Sequence, residues 1–230
     1  MLMKRLDHPN IIMLLGVASN EEPVMIVMEF APGGSVLDAV QSKPGPSMYN
    51  RINKYLFVSI FLITTSSIFF VLLSLQIIHR DVAARNCLIG KNDIAKISDF
   101  GLSIVGTQKK EKTLRKVPIR YLAPETLKKR EYSVKTDVWS FGVFLWEVFH
   151  DGKEPYEEMS AKEVRAYVLT GHTLQNESNH YPSHMWSITV SCFARNPNHR
   201  PEFNAMAQQI LAGIEEYKEH KSLLSSLKFW

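Results

Sequence analysis

The stretch that decides the fold is His79-Arg80-Asp81-Val82-Ala83-Ala84-Arg85-Asn86, which lies before the midpoint of a chain of 230 residues. It is followed by Asp99-Phe100-Gly101 and then by Ala123-Pro124-Glu125. Each motif alone is compatible with an ordinary structural role, because an aspartate in a loop is more often structural than catalytic. The three motifs in this order and at this spacing instead predict a site for phosphoryl transfer.

The polar residues of these motifs suit that chemistry. Phosphoryl transfer needs a carboxylate that orients the acceptor hydroxyl, ligands for a metal ion, and cations that stabilise developing negative charge. Asp81 can accept the hydroxyl proton, while Asn86 and Asp99 supply the hard oxygen ligands that Mg²⁺ prefers. The apolar runs Cys87 to Ile89 and Ile94 to Ile97 predict a β-hairpin. Such a hairpin would bring Asn86 and Asp99 to the same side.

Together these motifs resemble those of protein kinases. The resemblance covers essentially the whole chain and includes Asp137 to Gly142, which is similar to the helix that anchors the kinase catalytic loop. It implies one α+β domain with a protein kinase-like fold over residues 1–230. Residues 1–30 would be the rear part of a β-rich N-lobe with the hinge, and residues 31–220 a mostly helical C-lobe. It also implies an ion pair between Arg200 and Glu125.

The resemblance is closer to tyrosine kinases than to serine/threonine kinases. Ala83 stands where serine/threonine kinases usually have lysine, and Arg85 follows in the arrangement found in tyrosine kinases. Val117 to Arg120 also resembles the tyrosine-kinase substrate platform, although Tyr121 stands where those enzymes usually have tryptophan. The chain looks most like cytoplasmic Fes/Fer-like tyrosine kinases. This implies a cytoplasmic signalling enzyme that uses ATP and Mg²⁺ to phosphorylate tyrosine on protein substrates.

The same resemblance implies a role for individual residues. Asp81 would be the catalytic base, Arg85 would assist the acceptor site, and Asn86 with Asp99 would bind Mg²⁺. The adenine site would be formed by a hinge and a floor residue: Met28, Glu29, Ala31 and Leu88. Core strand positions are the alternative interpretation of these four, and for Met28 and Leu88 both roles are compatible.

Three elements that kinases use to hold nucleotide phosphates are missing from the sequence: a glycine-rich loop, a strand lysine and the helix glutamate that pairs with this lysine. No Gly-x-Gly-x-x-Gly occurs in it, and no Val-Ala-Ile-Lys-like strand precedes His8. We therefore expect an N-terminally incomplete kinase domain with little activity of its own. The alternative, from a different functional class, is a catalytically inactive kinase-like module that binds partners through its helical lobe.

A second anomaly is the segment from Tyr55 to Ile78, which has 24 residues without a charge. Its length alone is typical of a transmembrane helix. A membrane span would place the hinge and Asp81 on opposite sides of a bilayer, which would divide the ATP site. A buried core helix, or a foreign insertion such as a retained intron, would also produce such an apolar run. Membrane association therefore stays an alternative to a purely cytoplasmic location.

The remaining sequence predicts two strands followed by a mostly helical half. Apolar runs at Ile11 to Val17 and Val24 to Phe30 predict strands, Ser35 is placed to cap a short helix, and helical periodicity begins at Ser133. The net charge of +4 is spread out, so nucleic acid is not an expected partner. The two cysteines show no pairing motif or metal-ligand spacing, which favours a reducing compartment.

The predicted activation segment, from Asp99 to Ala123, is unusual in composition. Its only tyrosine is Tyr121, so an ordinary loop tyrosine for autophosphorylation is lacking, and Thr107 and Thr113 are the candidate phosphosites. Five basic residues cluster between positions 109 and 116 and are offset only by Glu111: Lys109, Lys110, Lys112, Arg115 and Lys116. Such a run is more often a solvated stretch than a docking surface.

Overall fold

The computed structural model describes residues 6–42, 72, 75–113, 117–178 and 181–213. Within them, a small β-rich part precedes a mostly helical half, which confirms the order predicted from the apolar patterns. The strands are β1 (Leu14–Ala18), β2 (Met25–Met28), β3 (Ile77–Ile78), β4 (Cys87–Ile89), β5 (Ala95–Ile97), β6 (Ile104–Val105), β7 (Gln108–Lys110) and β8 (Glu131–Ser133). The helices are α1 (Val36–Gln41), α2 (Pro124–Lys129), α3 (Val134–Phe149), α4 (Ala161–Leu169), α5 (Ser183–Cys192) and α6 (203–213).

In the described part of the chain, the strands form four two-stranded sheets. β1 and β2 form an antiparallel hairpin, as do β4 and β5. The other two antiparallel pairs, β3 with β6 and β7 with β8, join segments that are distant in sequence. Because both distant pairs involve residues 104–110, they attach the segment after Asp99 to the rest of the helical lobe.

The first hairpin is connected to the helical lobe by backbone hydrogen bonds. Ile12 donates its N–H to the carbonyl of Ile97 at 3.0 Å, and Ile97 donates to the carbonyl of Asn10 at 2.9 Å. Both faces of β2 are nevertheless exposed, from Met28 at 44% to Met25 at 58%. The hairpin is therefore positioned by its backbone rather than by a packed apolar core.

Helix α1 begins as the sequence predicts. Asp38 donates its N–H to Ser35 Oγ at 3.0 Å, and Ser35 donates its N–H to the Asp38 carboxylate at 3.3 Å, so a reciprocal cap forms. The turn before it passes close to β4, because Gly33 donates its N–H to the carbonyl of Ile89 at 2.9 Å. A Cβ atom on Gly33 would lie 2.5 Å from the Ile89 side chain, so only glycine permits this approach.

The core of the helical lobe is built around α3. Every residue from Thr136 to Phe149 is buried, as is typical of a helix that is apolar nearly all round. Helix α5 packs against it so closely that a Cβ atom on Gly142 would lie 2.7 Å from Cys192 Cβ. The ring of Phe203, the first residue of α6, packs edge to face against the ring of Phe141, with 5.6 Å between the ring centres. α3 is thus the central element on which the loops of the site are mounted.

The apolar segment from Tyr55 to Ile78 lies almost wholly outside the described residues. Only Leu72 and residues 75–78 of it are described, and Leu72, Ile77 and Ile78 are buried there. In the described part of the chain, no helix has both the length and the apolar character needed to cross a membrane.

Candidate functional site

The loop from His79 to Asn86 is folded tightly on itself. Asn86 donates its side-chain N–H to the carbonyl of Asp81 at 2.8 Å, and Asp81 donates its backbone N–H to His79 Nδ1 at 3.3 Å. A 3-10 turn at Ala84–Asn86 closes the loop. Asp81 is 7% exposed and Asn86 6%. The loop is therefore rigid, and its amide and carboxylate oxygens are fixed relative to each other.

Arg85 joins this loop to the predicted substrate platform. Its guanidinium donates to the Asp81 carboxylate and lies over the ring of Tyr121, with Cζ 4.9 Å from the ring centre. Burial alone would lower the pKa of Arg85, but its neighbours, Asp81 foremost among them, raise it. The guanidinium thus stays charged beside the Asp81 carboxylate.

The predicted hairpin after this loop is confirmed and joins Asn86 to Asp99. β4 pairs with β5 so that Cys87 faces Ile97. One residue further, Ser98 donates both its N–H and its hydroxyl to the carbonyl of Asn86, each at 2.9 Å. Asp99 follows directly, exposed and with a left-handed backbone (φ 59°), and its carboxylate accepts the N–H of Gly101 at 3.2 Å.

Asp137 anchors the loop from below, as the resemblance implies. Its carboxylate accepts the backbone N–H of His79 at 2.7 Å and of Arg80 at 2.9 Å. Burial raises the pKa of Asp137 to about 7 and lowers the pKa of His79 to about 4. His79 is therefore neutral, accepting from Asp81 at Nδ1 and donating from Nε2 to the carbonyl of Ser98 at 3.1 Å.

Glu147 is a functional-site residue that the sequence analysis missed. It is 2% exposed, and its two carboxylate oxygens accept the backbone N–H of Ala84 at 3.0 Å and the hydroxyl of Tyr121 at 2.7 Å. Burial, and then the Glu147 charge, raise the pKa of Tyr121, so its hydroxyl remains a donor. A single carboxylate inside the apolar run of α3 was the signal that could have found this residue.

A cleft of about 850 Å³ opens beside this loop. Arg85 and Tyr121 line it together with the platform residues Val117, Pro118 and Ile119. Arg120 holds the platform in place, because its guanidinium donates to the carbonyls of Pro155 and Met159 at 2.9 and 2.8 Å. The cleft therefore places an apolar wall next to the loop from His79 to Asn86, here called the carboxylate loop, as a bound peptide would require.

The four residues predicted to contact adenine lie along one strip. Met28 ends β2 and is 44% exposed, while Leu88 is half-buried in β4. Glu29 donates its N–H to the carbonyl of Met13 at 2.9 Å and forms an ion pair with Lys96 at 2.9 Å. The carbonyl of Ala31 accepts the N–H of Gly34 at 3.3 Å.

The turn after Ala31 brings this strip towards the floor residue. Gly34 accepts the N–H of Ile89 at 2.9 Å, and Ser35 forms a β-bridge with Leu88. The strip is thus contiguous in space. It is far more open than the carboxylate loop.

The predicted ion pair between Arg200 and Glu125 is confirmed. Two parallel hydrogen bonds of 2.7 and 2.8 Å join the guanidinium to the carboxylate. The Arg200 side chain is 0% exposed and that of Glu125 16%. Because Glu125 lies in the first turn of α2, just after the platform, this pair fixes the platform to the helical lobe.

The donor set near Asp81 suits a hard cation. Asn86 uses its amide N–H on Asp81, which leaves the amide oxygen available, and Asp99 contributes an exposed carboxylate. In the described part of the chain, no group of three or more His, Cys, Asp or Glu could hold a metal ion. A two-residue oxygen set agrees with Mg²⁺, which keeps waters and substrate phosphates among its ligands.

Comparison with known sequences gives a consistent family assignment. Residues 1–210 match the family described as protein tyrosine and serine/threonine kinase. Fer-related kinase 1 of Caenorhabditis elegans is 36% identical over 218 residues, which cover 94% of this chain and 54% of that protein. Tyrosine-protein kinase Fer of Mus musculus is 36% identical over 211 residues, which cover 91% of this chain and 25% of that protein.

A third relative has higher identity over a shorter stretch. Spermatocyte protein spe-8 of Caenorhabditis elegans is 46% identical over 170 residues, or 73% of this chain and 32% of that protein. The chain thus spans between about a quarter and about half of the relatives it matches. These matches confirm the resemblance to Fer-like kinases that the motifs carry.

Proposed function

Because the chain belongs to the protein tyrosine and serine/threonine kinase family, we propose that it transfers the γ-phosphate of ATP to tyrosine side chains of protein substrates. The relatives named tyrosine-protein kinase support the choice of tyrosine as acceptor. Ala83 and Arg85 in the catalytic loop support it independently.

The observation that carries the proposal is the hydrogen-bonded loop around Asp81. Asp81 is the general base that accepts the proton of the acceptor hydroxyl. Arg85 donates a hydrogen bond to this carboxylate, and Asn86 fixes the backbone that carries it. Proton transfer requires a base held within hydrogen-bond reach of the hydroxyl, and a loop that is almost fully buried provides such a fixed position.

Asn86 and Asp99 are the residues that would hold Mg²⁺. The metal ion would supply positive charge to the phosphate oxygens during transfer. The hairpin between β4 and β5 sets the spacing of these two residues, because Ser98 is bonded to Asn86 and is followed directly by Asp99.

The acceptor side chain would enter from the cleft beside Arg85 and Tyr121. A tyrosine ring is long, so its hydroxyl reaches Asp81 only if the peptide backbone is held back from the loop. The platform Val117 to Ile119 lines this cleft and would support the peptide backbone there, and Arg120 ties the platform to the lobe.

The adenine base would lie on the strip formed by Met28, Glu29, Ala31 and Leu88. The N–H of Glu29 is used by Met13, so its carbonyl is the group left for the base. Leu88 would provide the apolar floor. This half of the proposed site rests on backbone positions rather than on a closed pocket.

The test uses the natural protein with all its domains, incubated with ATP, Mg²⁺ and either poly-Glu-Tyr or a serine-rich peptide. We expect phosphate to be transferred to tyrosine in clear preference to serine. Asp81→Asn should lower turnover by roughly 10²-fold or more, the usual scale for a positioned acid–base group. A preference for serine, or full activity of the variant, would contradict the proposal.

A second candidate function is a catalytically inactive kinase-like interaction module. It concerns the 230 residues by themselves, which contain no glycine-rich loop motif. Without such a loop and its lysine partner, the chain by itself should turn over roughly 10³-fold more slowly, because preorganised charges contribute several kcal/mol each. Turnover near roughly 1 per second by the purified chain, with ATP, Mg²⁺ and a tyrosine peptide, would exclude the inactive module.

A further inference from the structure

Glu111 has a special place in the segment between Asp99 and Ala123. Apart from Asp99 it is the only carboxylate of that segment, and its neighbours are Lys109, Lys110 and Lys112. An exposed glutamate in such surroundings would be expected to pair with an adjacent lysine. Glu111 instead turns inward, and its Oε1 lies 3.1 Å from Nη1 of Arg80.

Arg80 directly precedes the proposed catalytic base, Asp81, and its side chain is only 9% exposed. The guanidinium lies over the ring of Tyr132, with Cζ 4.1 Å from the ring centre. The backbone of Arg80 is in the left-handed region (φ 71°), so its orientation depends on the contacts that surround it.

The Arg80 cation depends on Glu111 for a paired charge. The other nearby carboxylate, Asp137, accepts the backbone N–H groups of His79 and Arg80 instead of the guanidinium. Among the residues that the structure describes, Glu111 is the only carboxylate in ion-pair contact with Arg80. A buried cation that loses its partner is strongly disfavoured, so removing Glu111 should release the Arg80 side chain.

The backbone holds Glu111 in this position. β7 pairs with β8, and this pairing places Lys109 opposite Tyr132. β7 ends immediately before Glu111. Glu111 itself donates its N–H to the carbonyl of Arg130 at 3.0 Å. Glu131 faces Lys110 and Lys129 at 3.8 and 3.9 Å, so a different carboxylate serves those lysines.

We propose that Glu111 is a positioning residue, which fixes Arg80 and through it the loop that carries Asp81. The catalytic part of this inference rests on the proposed kinase function. Because the carboxylate is part of the chain, the contact forms without modification of Thr107 or Thr113. The activation segment is therefore held against the catalytic loop whether or not these threonines are phosphorylated.

The test compares Glu111→Gln with two controls in the natural protein. Glu111→Asp retains the charge on a shorter side chain, and Glu131→Gln removes a carboxylate from the same sheet without touching Arg80. Amide hydrogen exchange of β7 and of residues 79–81 should become about tenfold faster in Glu111→Gln, the scale for losing one hydrogen bond to a charged group. Exchange should be unchanged in Glu131→Gln. Unchanged exchange in Glu111→Gln would overturn the proposal.

Kinetics separate positioning from general stabilisation. In Glu111→Gln we expect kcat for a tyrosine peptide to fall about tenfold while KM for ATP changes less than about twofold. Glu111→Asp should recover most of kcat, and phosphatase treatment of the wild type should leave kcat intact. A wild type without kinase activity would contradict the proposed function. The hydrogen-exchange data test the contact of Glu111 with Arg80 independently of any activity. A kcat that is unaffected by Glu111→Gln, or lost on dephosphorylation, would overturn the inference.

Discussion

The loop from His79 to Asn86 and the β1–β2 hairpin both carry predicted site residues, yet the two regions are held in opposite ways. In the loop, His79, Asp81 and Asn86 are at most 7% exposed, and each is hydrogen-bonded within the loop or to a neighbouring element. In the hairpin, every residue from Met25 to Met28 is at least 44% exposed. The loop that carries Asp81 and Asn86 is thus fixed by the packing of the helical lobe. The hairpin residues are held by backbone pairing and by the ion pair of Glu29 with Lys96.

This difference has an energetic meaning. Removing a buried, hydrogen-bonded group leaves its partners unsatisfied and costs much of the stability of a small domain. Removing an exposed side chain changes little. Substitutions of buried groups in the helical lobe should therefore be far more disruptive than substitutions of exposed groups or of hairpin residues, and three measurements examine this difference.

The largest effect is expected from Arg200→Ala. This change leaves the Glu125 carboxylate without its bidentate partner beneath the platform, which should lower the free energy of unfolding by about 3 kcal/mol. Urea denaturation measures it. The control is Arg195→Ala, because Arg195 is exposed and its side chain donates to the carbonyl of Leu169 at 3.1 Å. Equal stability of the two variants would show that the Arg200 pair contributes little.

A smaller effect should appear as a pH dependence centred on His79. Burial lowers the pKa of His79 from 6.5 to about 4, so the unfolded chain binds the proton more tightly than the folded chain does. The contribution of His79 to stability is full above pH 6.5 and is lost as the pH falls towards 4. Between roughly pH 7 and pH 5 the loss should be about 2 kcal/mol.

The measurement compares wild type with His79→Gln in urea at both pH values. Asp137 acts in the opposite sense, because its raised pKa of about 7 favours the folded state as the pH falls. Asp137 accepts backbone N–H groups, which the substitution retains, so its contribution cancels in the comparison. If the stability of wild type relative to His79→Gln is the same at both pH values, the neutral His79 assignment is wrong.

The smallest effect contrasts a glycine from each region. Gly142→Ala would push a Cβ atom to within 2.7 Å of Cys192 Cβ and 2.9 Å of the Phe193 ring. Overpacking of this kind should cost about 1 to 2 kcal/mol after the gain in helix propensity. Gly16→Ala in β1 meets nothing within 4 Å and should change stability by less than about 0.5 kcal/mol. Thermal melts of the two variants that shift equally would refute the contrast between the regions.

Local patterns predicted the secondary structure well because the relevant forces act over short sequence distances. The Ser35 cap, the β4–β5 hairpin and α3 were each predicted from residues that are close to one another in sequence. The ion pair of Arg200 with Glu125 joins distant residues, and it was predicted only through the family resemblance.

Contacts between distant segments could not be predicted in this way. Glu147 belongs to an apolar helix, but its partners Ala84 and Tyr121 lie in other segments. Glu111 belongs to a basic loop, but its partner Arg80 precedes Asp81 in a different loop. The pairing of β7 with β8 joins residues 108–110 to residues 131–133, and no local periodicity indicates it. The energy of such pairs depends on burial, which becomes known only when the chain is folded.

The order and spacing of the motifs that contain Asp81, Asn86, Asp99 and Glu125 carried the resemblance from which the family was predicted. The sequence also predicted the elements on which these residues lie. Which carboxylate serves which cation depended on the folded chain: Asp81 pairs with Arg85, Glu111 with Arg80, and Glu131 with the neighbouring lysines. The reason is physical, since charge pairing is selected by distance and desolvation, and both are properties of the packed chain.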